Sequence, residues 1–252
     1  MHKTACYTIA DEKNLPWAKS LEKSFHHFHP QIPFIIYGDK EIDETHLSRP
    51  GVFYVATPYF GRQLIKDYQQ VIKIDADSII TAPLEIIDYP EDFDAAVVYN
   101  WTRDAISQTV KVWDIAPQGY LNNGFVVFRS AEFIEHIWRL CTGPFINNYP
   151  YKEQDMLNIV AYYGNYKVKL LDMGNSWYGL RSKSEWNKAI MKDGLMVIPK
   201  GKDLFPEQDK IIRCIHWAGG ALDVKMNYRI YFNDECSAYL DTITRGVNYG
   251  RT

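Results

Sequence analysis

The chain has 252 residues, 46% hydrophobic and 23% charged, which is enough to bury a core and too mixed for a disordered or fibrous protein. A formal net charge of −3, with Lys and Arg scattered, excludes the electrostatic footprint of a nucleic-acid or membrane-surface binder. No apolar run reaches membrane-span length and the N-terminus carries no signal-peptide pattern, so a cytoplasmic protein is expected.

Residues 4–9 are apolar and β-branched and end at Ala10-Asp11, which predicts a first strand with a polar tip. Asn14 is placed to cap a helix that tolerates Pro16 in its first turn, and Trp17, Leu21, Phe25 and Phe28 form its buried stripe. Residues 32–37 predict a second strand, so the chain starts as a parallel βαβ unit. The cluster His26-His27-Phe28-His29 sits at the helix end before Pro30, where cations suit the helix dipole, and no carboxylate or Cys completes a metal set. Cys6, Cys141, Cys214 and Cys236 are far apart with no Cys-x-x-Cys pair, which predicts free thiols.

A brief strand over 52–56 and a helix over 61–68, carrying Arg62 and Lys66, come next. The run Val71-Ile72-Lys73-Ile74 then reads as a buried strand delivering Asp75 and Asp77 to its C-terminal edge, where open α/β sheets bind ligands. Two carboxylates so close repel unless a cation or proton lies between them, and hard oxygen ligands suit Mg²⁺ or Mn²⁺. A solvated turn capping a strand end is the alternative.

Residues 95–99 predict another strand, and the polar region 100–119, with Trp101, Arg103, Asp104 and Trp113, reads as a loop or flap. Asn122-Asn123-Gly124 leads into a strand over 125–128, and Ser130 caps the following helix. Glu153-Gln154-Asp155 opens a further helix with Met156, Leu157, Val160 and Ala161 on its buried side. Strands are expected over 167–171, 195–198 and 211–215, the last ending at His216 before Gly219-Gly220, whose backbone N–H groups could meet an anion. The Tyr- and Arg-rich segment 226–252 reads as a helix and tail. With no repeat or linker, one α/β domain is expected, with a nucleotide-binding half over about 1–100, a sugar and acceptor half over about 101–225, and an extension over 226–252.

Four stretches together resemble the retaining nucleotide-sugar glycosyltransferases of family eight, the glycogenin and bacterial galactosyltransferase group. They are Val71-Ile72-Lys73-Ile74-Asp75-Ala76-Asp77, Tyr120-Leu121-Asn122-Asn123-Gly124-Phe125, Glu153-Gln154-Asp155-Met156-Leu157-Asn158 and His216-Trp217-Ala218-Gly219. The resemblance implies a GT-A fold, with a mixed and mainly parallel sheet flanked by helices. It implies a metal-dependent transfer of sugar from a UDP-sugar to a glycan, lipid or protein acceptor. Asp75, Asp77 and His216 would hold Mn²⁺ or Mg²⁺. Thr8, Ala10, Asp11, Arg62, Asp75, Ala76, Asn122, Gly219 and Lys225 would line the donor site, and Gln154, Glu153 and Asp155 would act at the reacting sugar. Retention of anomeric configuration follows from the family, whereas Glu153 or Asp155 acting as general base would give inversion.

Two other readings fit parts of the same sequence. A haloacid-dehalogenase-like phosphatase would use Asp75 as nucleophile and Asp77 as acid/base, but it needs Gly-Thr or a close variant next, and Ser78-Ile79 follows. A catalytically silent relative would bind a nucleotide-sugar without turning it over.

Overall fold

The computed structural model of the chain describes residues 3–38, 41–42, 55–100, 115, 119–176, 186–201, 208–217, 229 and 231–244. Strands β1 (Thr4–Ala10), β2 (Phe34–Gly38), β3 (Gln70–Ile74), β5 (Ala95–Tyr99), β6 (Leu121–Phe128) and β7 (Val168–Leu171) form a six-stranded sheet, with β4 (Ser78–Ile80) outside it. The order is β2-β1-β3-β6-β5-β7. Pairs β1–β2, β1–β3 and β5–β7 are parallel, while β6 runs antiparallel to both β3 and β5. The sheet is therefore mixed and mainly parallel, as expected. Both β3 and β6 are buried along their whole length, which is why Val71-Ile72-Lys73-Ile74 and residues 125–128 read as apolar strands.

Side chains alternate across the sheet, and each face recruits its own helices. On one face, Leu21 and Phe25 of α1 (Leu15–Phe28) pack with Ile72, Ile74, Phe125 and Val127. On the other, Phe60 and Leu64 of α2 (Ala56–Leu64) meet Tyr7 and Val71. Beside them, α3 (Ala131–Thr142) and α4 (Glu153–Tyr163) send Phe133, Ile137, Met156 and Val160 against Val97, Val126 and Phe128. Ser130 caps α3 as read, accepting from the Phe133 N–H at 3.1 Å. A second, three-stranded sheet of β8 (Ile190–Lys192), β9 (Leu195–Ile198) and β10 (Lys210–Ile211) packs through Met196 and Ile198 with Cys236, Leu240 and Ile243 of α5 (Asp234–Thr244). Among the described residues, no helix is long and apolar enough to cross a membrane. All four cysteines are buried and free.

Several boundaries differ from the sequence reading. The helix expected over 61–68 begins at Ala56, where a strand end was expected, and residues 52–54 lie outside the described residues. Pro58 suits a first helical turn, and the partner of this helix start is Glu153, far along the chain. Asn14 precedes α1 but makes no side-chain cap; its N–H and amide donate to Asp11 Oδ1 at 2.7 and 2.8 Å, so Asp11 organises the turn. The strand expected over 211–215 divides, because β10 stays with β9 while β11 (Cys214–His216) leaves to pair antiparallel with β4. Asn122-Asn123-Gly124 lies inside β6 rather than before it. The pairing with β5 jumps from Val97↔Val126 to Val98↔Asn122, leaving Asn123, Gly124 and Phe125 as a bulge on that side.

Asn158 clamps α4 to the start of this bulged strand. Its Oδ1 accepts from the Leu121 N–H at 2.7 Å and its Nδ2 donates to the Leu121 carbonyl at 3.0 Å. Replacing it by an apolar residue of similar size strands two buried backbone groups. Asn158→Leu is expected to lower unfolding free energy by about 2–4 kcal/mol at unchanged m-value in urea. An unchanged midpoint would show that the clamp carries no such role.

Candidate metal and donor site

The site is assembled where β3 ends. Beyond Ile74 the chain turns through Asp75-Ala76-Asp77, with the Asp75 N–H donating to the Gly124 carbonyl at 2.8 Å. It then enters β4, which leaves the main sheet and pairs with β11 so that Ser78 stands opposite His216. The Trp217 N–H donates to the Asp77 carbonyl at 3.1 Å and closes the ladder over the turn. This ladder carries His216 to the two carboxylates: Nε2 lies 3.2 Å from Asp75 Oδ2 and 3.4 Å from Asp77 Oδ1. Among the described residues, Asp75, Asp77 and His216 form the one group of three or more His, Cys, Asp or Glu side chains arranged to share an ion. Their ligand atoms lie within 4.8 Å of one another.

The donor set fits a small divalent cation. Two carboxylates supply hard oxygen, and His216 Nδ1 lies 3.2 Å from Ser176 Oγ, which leaves Nε2 turned toward the carboxylates. Burial disfavours a charged imidazole here, yet hydrogen bonds to Asp75 and Asp77 push the His216 pKa up to about 9. Burial likewise works to raise the Asp75 carboxyl, and Lys73 with His216 overcomes it to hold Asp75 well below the usual carboxylate range. Without an ion the two carboxylates thus draw a proton onto His216, and a divalent cation would take that proton's place between the same three side chains. Close packing fixes the ring, since a Cβ on Gly124 would stand 2.1 Å from His216 Cε1.

A second polar cluster adjoins the first. Glu153, opening α4, accepts from the Thr57 hydroxyl at 2.8 Å, the Thr57 N–H at 3.3 Å and the Asn123 side-chain amide. Its carboxyl therefore caps the N-terminus of α2, where the helix dipole favours it. Burial raises the Glu153 pKa, opposed by Lys73 and by the hydrogen bonds from Thr57. Gln154 Oε1 accepts from the Asn123 N–H at 3.0 Å, which joins α4 to the β6 bulge. Asp155 is fully buried (0% exposed) and accepts from the Tyr120 hydroxyl at 2.6 Å and the Tyr151 N–H at 2.8 Å. Between them, Lys152 adopts a positive φ of 47° at the entry to α4.

The other expected site residues are placed unequally. Ala10 and Ala76 pack together with Ala18, joining the tip of β1 to the Asp75-Ala76-Asp77 turn. Asp11 stands at that tip with Oδ1 engaged by Asn14. Thr8, two residues before Ala10 in β1, is fully buried. Asn122 is buried too, with its Oδ1 accepting from the Gly124 N–H at 2.7 Å, and it is Asn123 that meets Glu153 and Gln154. Arg62, expected at the donor, is turned instead to α3. Its Nε is 2.6 Å from Glu135 Oε2 and its guanidinium lies over the Trp138 ring, because it occupies the last turn of α2 while the first turn faces Glu153. Gly219 and Lys225, and the 101–114 part of the expected flap, lie outside the described residues. The histidine cluster ends α1 as expected, with His26 3.2 Å from the Ile32 carbonyl and His29 Nε2 accepting from the Leu84 N–H at 2.9 Å.

Lys73, Asn123, Thr57, Tyr7 and Ser176 were not singled out by sequence. Lys73 left a local signal there as a lone cation inside an apolar strand, and Asn123 as part of Asn122-Asn123-Gly124. The Tyr7 hydroxyl donates to the Thr57 carbonyl at 2.7 Å, so it supports the same helix start that Glu153 caps.

No protein-family model and no curated protein matches the sequence. Solved structures do match the fold. The chain aligns over 98% of its length with 96% of the galactosyltransferase LgtC in complex with donor and acceptor sugar analogs, at 14% identity and a TM-score of 0.59. It aligns over 90% of its length with 98% of a glycosyltransferase involved in glycosylation of the major capsid of PBCV-1, at 12% identity and a TM-score of 0.59. Against the bifunctional glycosyltransferase WbbM, 86% of the chain aligns at 15% identity and a TM-score of 0.60, spanning only 46% of that protein. The fold is that of the GT-A glycosyltransferases.

Gly124 offers a direct check on how the site is built. Gly124→Ala is expected to displace the His216 ring and weaken Mn²⁺ binding about tenfold or more in calorimetry while leaving the folded circular dichroism spectrum intact. Unchanged Mn²⁺ affinity would mean that the ring does not need this packing.

Proposed function

We propose that the chain is a metal-dependent glycosyltransferase, moving a sugar from a UDP-sugar to an acceptor hydroxyl on a glycan, lipid or protein with retention of configuration. The observation that carries this reading is the Asp75–Asp77–His216 trio at the carboxyl edge of β3 in a GT-A fold. These three residues would hold Mn²⁺ or Mg²⁺, which when bound supplies Lewis-acid stabilisation of a departing diphosphate.

The chain's own residues then divide the remaining work. Gln154, held by the Asn123 N–H at the entry to α4, is the candidate for the face of the reacting sugar. Glu153 and Asp155 serve as positioning residues, since hydrogen bonds from Thr57, Asn123, Tyr120 and Tyr151 occupy their oxygens. That engagement supports retention, because inversion needs a carboxylate free to deprotonate the acceptor. Asp11 and Ala10, at the tip of β1, are suited to the nucleoside end. The antiparallel β6 beside β3 and the fold likenesses give the phosphatase reading no support.

The test is release of free UDP from a panel of UDP-sugars, with Mn²⁺ or with a chelator, for the native chain and Asp77→Asn. Release from one donor, reduced at least about 100-fold by the chelator and by the substitution, is expected. Hydrolysis of a generic phosphate ester without turnover of any UDP-sugar would overturn the reading. Metal-dependent UDP binding without release from any donor, across an acceptor panel, would point to a silent binder instead.

A further inference from the structure

Lys73 has no place in the expected site, yet it reaches the centre of it. It lies between Ile72 and Ile74 in β3, is 3% exposed, and shares its sheet face with Val71 and Tyr7. An apolar side chain would fill such a position without the desolvation penalty that a buried ammonium carries. Its Nζ donates to the Asn123 carbonyl at 2.7 Å and forms an ion pair with Asp75 Oδ1.

That pair divides the two oxygens of one carboxylate. Oδ1 of Asp75 belongs to Lys73, whereas Oδ2 faces His216 Nε2 at 3.2 Å. With Oδ1 engaged, Asp75 has a single oxygen to offer an ion shared with Asp77 and His216. Small ions of octahedral preference accept single-oxygen carboxylate ligands and keep waters, whereas Ca²⁺ takes more oxygens and gains from two-oxygen carboxylate binding. A fixed positive charge beside the ion also weakens binding of any bare cation, so less is retained before a diphosphate arrives.

We propose that Lys73 is the specificity-determining residue of the metal centre: by withholding Asp75 Oδ1 it selects small octahedral ions over Ca²⁺ and keeps the bare ion weakly held. The inference rests on the reading of Asp75, Asp77 and His216 as ion ligands.

The test is calorimetric titration of the nucleotide-free protein with Mn²⁺ and with Ca²⁺, for the native chain, Lys73→Met and Lys73→Arg. The native chain is expected to prefer Mn²⁺. Lys73→Met should bind both ions more tightly and gain most for Ca²⁺, on the order of tenfold, so that the ratio of the two Kd values narrows. Lys73→Arg, which keeps the charge and the donors, should restore the native ratio. Should the methionine variant fail to fold by circular dichroism, Lys73→Leu, which likewise has no donor, carries the same expectation. Infrared difference spectra of the native chain on adding Mn²⁺ need no variant, and should show carboxylate bands of single-oxygen ligation. A folded Lys73→Met or Lys73→Leu with the native ratio or with weaker binding of both ions, or two-oxygen bands in the native chain, overturns the role of Lys73 alone. Absence of any ion binding by the native chain overturns the metal-centre reading and this inference with it.

Discussion

Asp75 and Asp77 stand one residue apart where a strand buried on both faces comes to its end, and their mutual repulsion has to be met by positive charge. The surrounding architecture serves that demand. Lys73 rises from inside the same strand to one oxygen of Asp75. His216 arrives on the β4–β11 ladder, held by the pairing with Ser78 and by the backbone bond from Trp217 to Asp77. Gly124 leaves room for its ring, since a side chain there would collide with it. Lys73 thus offsets part of the charge of the two carboxylates, and His216 brings a ring nitrogen within reach of both.

The polar framework behind this centre is built on the sheet face that carries α2, α3 and α4. Glu153 joins the start of α2 to the bulge of β6, Asn158 clamps α4 onto Leu121, and Tyr120 holds Asp155. Each is a hydrogen bond between elements far apart in the chain, those of Asn158 and Tyr120 fully buried, and together they fix where Gln154 and Asn123 meet. Hydrogen-bonded networks of this kind rigidify the elements that they join.

The sequence disclosed the parts that obey local rules. The apolar period of α1, the alternation of buried strands and the turn with its two aspartates all specify themselves, and the four separated stretches pointed to the fold that was found. Residues whose role depends on a distant partner were harder to read. Arg62 carries a charge on a helix next to the site, but the helix begins five residues earlier than its local pattern suggests, and its last turn faces Glu135. Glu153 and Asp155 have the chemistry of catalytic carboxylates, and only their contacts reveal how fully their oxygens are engaged. The β6 bulge, which brings Asn123 rather than Asn122 to Glu153 and Gln154, follows from pairing with β5; Gly124 marks the place, but not which asparagine turns to Glu153.

Crystals soaked with Mn²⁺ and UDP, measured at the manganese absorption edge, test the central assignment most directly. A single strong anomalous peak in contact with Asp75 Oδ2, Asp77 and His216 Nε2, with the diphosphate against it, is the expected result. UDP bound elsewhere, or an ordered diphosphate at this site with no manganese peak among the three side chains, would contradict it.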